Sequence, residues 1–242
     1  MTRRRDGRPG RRWWIGTALG FGIAGCALLS RLPAFAEAEP QRLPEAAVEA
    51  HEAQGSRTAI FAGGCFWGVQ GVFQHVRGVT QAVSGYAGGS AADADYRSVG
   101  TGGTGHAEAV AVTYDPAVIR YDELLQIFFS VALDPTEVNR QGPDAGPQYR
   151  SALFPQDGEQ ARVASAYLKQ LDAAKAFPRP IATRIERGAQ FYPAEGYHQD
   201  YMALHPSHPY IAINDAPKLK ALGRLFPERT RPEPVLVGQG PA

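Results

Sequence analysis

Cysteine is nearly absent. The 242-residue chain holds two, Cys26 and Cys65. That excludes a fold stapled by several disulfides and leaves no cysteine cluster for a structural zinc site. The histidines at 106, 198, 205 and 208 follow no tight ligand spacing, so no metal centre is read. A phosphate-cradling loop is missing too, because the glycine run from Gly102 to Gly105 precedes a strand pattern and not a helix. No internal repeat and no second long linker interrupt the chain. Long apolar runs are confined to the N-terminus.

That N-terminal stretch carries its own signals. Arg3, Arg4, Arg5, Arg8, Arg11 and Arg12 form a basic region, Trp13 to Leu29 is apolar and uncharged, and Ala34-Phe35-Ala36 is a small-x-small cleavage site. Residues 1–36 therefore read as a signal peptide, and the protein as exported, to the periplasm. Two details stay open. Arg11-Arg12 ahead of Trp13-Trp14-Ile15 hints at the twin-arginine route, and Ile23-Ala24-Gly25-Cys26 resembles a lipoprotein box that would tether the chain through Cys26. An uncleaved signal anchor is a third option.

Setting residues 1–36 aside takes seven arginines and one aspartate from the 25 basic and 24 acidic residues, leaving 18 and 23, a net of −5. Nucleic-acid binding then has no electrostatic argument. Cys65 becomes the only thiol. An exported chain with one cysteine has no internal disulfide, and its thiol is either reactive or an intermolecular partner.

Residues 37–56, rich in Ala, Glu, Gln and Pro, read as a flexible leader, residues 57–227 as one domain, and residues 228–242 as a loose tail. Within the domain the expected elements are a strand at Thr58–Phe61, a helix from Phe66 to Val76, strands at Val79–Tyr86 and His106–Tyr114, and a helix over Tyr121–Ala132. A strand at Tyr149–Phe154, a helix over Gly158–Lys175, a strand at Ile181–Arg187 and a short helix from Glu195 to Leu204 follow. The mixed order predicts an α+β fold: a two-layer sandwich in a single domain, on a mixed, largely antiparallel sheet with a ferredoxin-like core.

Two residues stand out. Cys65 follows Gly63-Gly64 at a strand-to-helix junction. There the free N–H groups and the dipole of a helix N-terminus would stabilise a thiolate and lower the thiol pKa. The plainer reading is a small buried hydrophobe. Glu108 alternates in line with Val110 and Val112 in a strand with two largely apolar faces. Burial would raise its pKa and keep it a proton donor. The plainer reading puts it at the strand's wet end, paired with an arginine. His198, beside Gln199 and Tyr201, reads as helix-surface or packing polarity.

Five blocks of sequence then fall into one order. Gly64-Cys65-Phe66-Trp67-Gly68, Gly85-Tyr86-Ala87-Gly88-Gly89, Gly105-His106-Ala107-Glu108-Ala109-Val110, Gln141-Gly142-Pro143-Asp144 with Gln148-Tyr149-Arg150-Ser151, and Phe191-Tyr192-Pro193-Ala194-Glu195 with His198-Gln199-Asp200-Tyr201 resemble the signature of the A-class peptide methionine sulfoxide reductases. The resemblance spans residues 57 to 227. It implies a repair enzyme that reduces the S epimer of methionine sulfoxide, free and in proteins, through a cysteine sulfenic acid. It also implies Cys65 as nucleophile, Glu108 as proton donor, Tyr96 and Tyr149 as donors to the sulfoxide oxygen, Asp144 as a group holding substrate or water, and Phe66 and Trp67 as the pocket for the S-methyl group. No cofactor is implied, and a monomer is expected.

The chain departs from that pattern in places. Many relatives carry C-terminal resolving cysteines, whereas this chain reads Pro209-Tyr210-Ile211-Ala212-Ile213 without sulfur. An outside thiol or a thioredoxin-like partner would therefore regenerate Cys65. Leu133 stands where relatives often have histidine, and Asp93-Ala94-Asp95 where they often have Asn-Pro-Thr. Two other readings compete: a cysteine hydrolase with His106 or His198 as base, and an exported module that binds methionine-rich segments without turnover.

Overall fold

The computed structural model describes residues 40–237. The expected signal peptide, Cys26 and the last five residues of the expected tail lie outside the described residues. In chain order the strands are β1 (Arg57–Gly63), β2 (Val79–Ala87), β3 (Ala107–Tyr114), β4 (Arg140–Gln141), β5 (Asp144–Ala145), β6 (Ser151–Phe154), β7 (Arg184–Ile185) and β8 (Phe191–Pro193). The helices are α1 (Phe66–Gln74), α2 (Tyr96–Gly100), α3 (Tyr121–Ile127), α4 (Gly158–Ala173), α5 (Tyr201–Leu204) and α6 (Ala216–Leu225).

Six strands make one sheet in the order β7-β6-β1-β3-β2-β8. Its middle, β6-β1-β3-β2, is antiparallel throughout, the strand order of a ferredoxin-like core; β7 adds a parallel edge and β8 an antiparallel one. The expected mixed, largely antiparallel α+β sandwich is the observed one.

Strand alternation sorts the side chains between the two faces. Phe61, Val110, Val112 and Leu153 join α1, α3, α4 and α6 in the main core. Ile60, Ala62, Ala107, Ala109, Ala152 and Phe154 form a smaller cluster closed by Ala189 and Phe191. Glu108 shares its face with Val110 and Val112, so it points toward α1. That helix is buried along nearly its whole length, because α5, α6 and the π turn Ile211–Asp215 pack around it.

The helix ends follow local chemistry. Asp157 accepts the Gln160 N–H at 2.8 Å to cap α4, and Asp95 accepts the Ser98 N–H at 3.0 Å to cap α2. At the start of α3 the Glu123 carboxylate accepts the Arg120 backbone N–H at 2.9 Å, and Asp122 and Glu123 are set against the positive end of its dipole.

Several elements differ from expectation. Residues 40–56 have no regular structure but are laid against the helices. Leu43 and Ala50 are buried, the Leu43 N–H reaches the Ser130 hydroxyl at 3.1 Å, and the Tyr121 N–H reaches Glu52 at 3.0 Å. A low-periodicity segment need not be loose when its backbone finds partners on neighbouring helices. The tail is tied likewise: Arg231 donates its backbone N–H to His75, and the Val237 N–H bonds both Asp200 oxygens at 3.0 and 3.1 Å. The strand expected at Ile181–Arg187 shrinks to β7, and the one expected at Tyr149–Phe154 begins as a 3-10 turn, Pro147–Tyr149. The helix expected over Glu195–Leu204 is broken by Asp200, whose φ of +59° is incompatible with a continuous right-handed helix.

Candidate active site

Cys65 sits where β1 turns into α1, as the residue that caps the helix. Gly64 makes the turn with φ +87°, and a Cβ on it would stand 2.4 Å from Gln141 Cβ, so only glycine passes. Cys65 is half-buried and opens on a cavity of about 190 Å³ lined by Cys65, Phe66, Trp67, Tyr96, Glu108, Asp144, Tyr149 and Tyr210. All seven residues singled out from the sequence meet there, joined by Tyr210. A larger hollow of about 360 Å³ beside Gly78, Asp115 and Arg231 contains none of them, so size alone does not locate the site.

Glu108 is buried at 4% exposure and has no arginine partner, against the plainer reading of the strand. Its Oε2 accepts the Phe66 N–H at 3.0 Å. Burial pushes its pKa up to about 8; the Phe66 N–H opposes that rise and the Asp144 charge adds to it. Glu108 is thus a carboxylic acid at neutral pH, one residue's N–H away from the thiol.

Tyr96 opens α2, and its N–H is fixed by Glu195 Oε1 at 2.9 Å; the other Glu195 oxygen takes the Tyr86 hydroxyl at 2.8 Å. Tyr149 ends the 3-10 turn, which the buried Arg150 secures through Glu186 at 2.8 Å, the Gly105 carbonyl at 3.0 Å and the Pro147 carbonyl at 3.1 Å. Burial and then the Glu108 charge raise both tyrosine pKa values, so both hydroxyls remain protonated donors. The Tyr210 hydroxyl donates to Asp144 Oδ2.

The apolar wall is built on Phe66 and Trp67. The Trp67 indole stacks on Tyr201 at 3.8 Å between ring centres and donates its N–H to His198 Nδ1 at 3.2 Å. His198 is buried, not a surface group, and lies 4.4 Å from the Tyr96 ring and 5.1 Å from Phe66. Burial lowers its pKa against the pull of Glu195, which leaves it a neutral ring accepting from Trp67.

The expectation of a lowered thiol pKa is overturned. The Trp67 N–H and Lys218 do favour the thiolate, but burial and the charges of Glu108 and Asp215 outweigh them and raise the Cys65 pKa. The helix N-terminus is real, but the carboxyls of Glu108 and Asp215 reach the same place from other elements.

Tyr210, Glu195, Asp215 and Lys218 were not singled out from the sequence. Tyr210 comes from a stretch, 205–215, with Pro-rich composition and no clear periodicity. Glu195 bonds groups far away in the chain, at Tyr86 and Tyr96. Of the two readings of His198, packing polarity holds and helix surface does not: it ends the 3-10 turn Gly196–His198 with its ring buried.

The model of the family described as peptide methionine sulfoxide reductase matches residues 57–229. A peptide methionine sulfoxide reductase MsrA 2 of Mesorhizobium japonicum is 60% identical over 185 residues, 76% of this chain and 95% of that protein. A protein of the same name from Synechocystis sp. is 50% identical over 179 residues, 74% of this chain and 84% of that protein. Among solved structures, methionine sulfoxide reductase A of Corynebacterium diphtheriae superposes with a TM-score of 0.54 at 29% identity, covering 70% of this chain and 93% of that one.

Proposed function

We infer the working of the site from one premise: the chain belongs to the peptide methionine sulfoxide reductase family and is an oxidoreductase that reduces methionine sulfoxide. We propose that Cys65 attacks the sulfoxide sulfur while Glu108 delivers a proton to the oxygen. The attack forms a bond between the two sulfurs; that bond and the S–O bond then break as the oxygen passes to Cys65, and the substrate leaves as the thioether. Cys65 becomes a sulfenic acid, and the proton its thiol gave up restores Glu108. The buried Glu108 bonded to the Phe66 N–H, where burial pushes its pKa up to about 8, is the observation that carries this reading.

Tyr96 and Tyr149 donate to the oxygen as charge develops on it, and Asp144, held by Tyr210, orders that end of the cavity. Phe66 and Trp67 hold the S-methyl group. A cavity lined by both tyrosine hydroxyls and aromatic rings offers different partners to the oxygen and to the methyl group, and the S epimer is the one proposed.

The enzyme works without an internal resolving thiol. One external thiol attacks the sulfenic sulfur, releasing water and leaving a mixed disulfide; a second thiol, or the second cysteine of a thioredoxin-like protein, releases Cys65. Export through residues 1–36 to the periplasm is proposed with it. The test is intact mass after methionine sulfoxide treatment, with and without a sulfenic-acid trap, on the full chain carrying Cys26→Ser. One trapped group on Cys65 supports the cycle. Product formed with Cys65 unmodified contradicts it.

A further inference from the structure

Behind the Cys65 helix lies an ion pair that the cavity does not reach. Asp215 is wholly buried at 0% exposure; its Oδ1 takes the Lys218 ammonium at 3.2 Å and its Oδ2 has no hydrogen-bond partner. The pair bears on the first turn of α1. A Cβ on Gly68 would stand 2.0 Å from Asp215 Oδ1 and 3.1 Å from Lys218 Nζ. The room left by a missing side chain, three residues after Cys65, is what admits the carboxylate.

Packing alone does not account for this arrangement. A buried carboxylate with an unpaired oxygen is unfavourable, and well-packed apolar side chains of similar volume commonly serve stability as well or better. The neighbourhood of the thiol gives the pair a use. Glu108 from β3 and Asp144 from β5 line the Cys65 cavity together with Tyr96, Tyr149 and Tyr210, and the Asp215 charge acts on the sulfur from the residue before α6. Among the described charges acting most strongly on the sulfur, Lys218 is the one cation.

We propose that Lys218 is a positioning residue for the reduction: its ammonium lets Cys65 ionise in a site otherwise furnished with carboxyl groups, and Asp215 anchors that ammonium against the first turn of the Cys65 helix. Lys218 does not line the cavity and acts through the field at the helix start. The proposal rests on Cys65 being the nucleophile, and its test does not require turnover.

The test is the pH profile of iodoacetamide alkylation of the full chain carrying Cys26→Ser, in which Cys65 is the only thiol. With Lys218→Met, alkylation on the rising limb slows about three- to tenfold and the limb moves to higher pH, while Lys218→Arg stays within about twofold of the parent. If Lys218→Met does not fold, Asp215→Asn and Asp215→Asn/Lys218→Met are compared, and the double variant is the slower. A Lys218→Met profile that overlays the parent overturns the proposal. So does Lys218→Arg falling as far as Lys218→Met, since that means shape and not charge. Normal alkylation without methionine formation would instead count against the assigned role of Cys65.

Discussion

The backbone N–H of Phe66 donates to Glu108 Oε2 at 3.0 Å. This one bond ties the acid on β3 to the residue directly after the nucleophile on α1. It holds the carboxyl against the backbone at the start of the nucleophile's helix.

Replacing Glu108 by Gln removes the proton and keeps the shape. Methionine formation should fall by about two orders of magnitude or more, within the range for loss of a general acid. Above about pH 8, where Glu108 is ionised, alkylation of Cys65 should meanwhile become faster, because the Glu108 charge raises the thiol pKa. Opposite movement of the two rates, read on one preparation, separates acid catalysis from simple loss of the site.

Stability should fall as pH rises between the two Glu108 values. An unfolded chain releases this proton near 4.5, whereas the folded protein keeps it to about 8. Across that interval the folded state binds more protons, so its stability is greatest below the lower value and declines toward the upper one. Thermal unfolding from about pH 5 to about pH 8 should show this slope in the parent and a shallower one in Glu108→Gln. The rate of methionine formation should lose its acid-dependent part as pH passes about 8.

Gly68→Ala should destabilise the protein by about 1–3 kcal/mol, although alanine is the better helix former. The reason is Asp215 Oδ1, 2.0 Å from the new Cβ. Denaturant unfolding reads the change. Gly68→Ala/Asp215→Ala should recover part of the loss, because the clashing carboxyl is gone.

Leu43→Ala should cost about 2–5 kcal/mol, the penalty of a core truncation, despite its place ahead of the first strand. A fall in Tm of several degrees is expected. An unchanged Tm would mean that residues 40–56 do not stay on the domain in solution.

How much was legible before the structure depends on how local the signal is. Cys65 and Glu108 were legible because glycine punctuation and strand alternation act within a few residues. The sheet core was legible because β1, β2 and β3 are apolar and regular. Glu195 was not, since its value lies in bonds to Tyr86 and Tyr96, about a hundred positions away. The contacts of residues 40–56 were not legible, because their partners are side chains of α3 and α4 far along the chain. The direction of the Cys65 shift was misread for a similar reason: the helix dipole is a local property, while Glu108 and Asp215 arrive from other elements. Asp215 and Lys218 lie in a segment whose first helical turn is disguised by Pro217 and a π turn.

The most direct test of the central claim is a single turnover. The reduced full chain carrying Cys26→Ser is mixed with each epimer of a blocked methionine sulfoxide, with no added thiol, and methionine product is counted per protein. The proposed cycle gives about one equivalent from the S epimer, none from the R epimer, and none once Cys65→Ser is added. No product from either epimer, or product that continues past one equivalent without thiol, would contradict it.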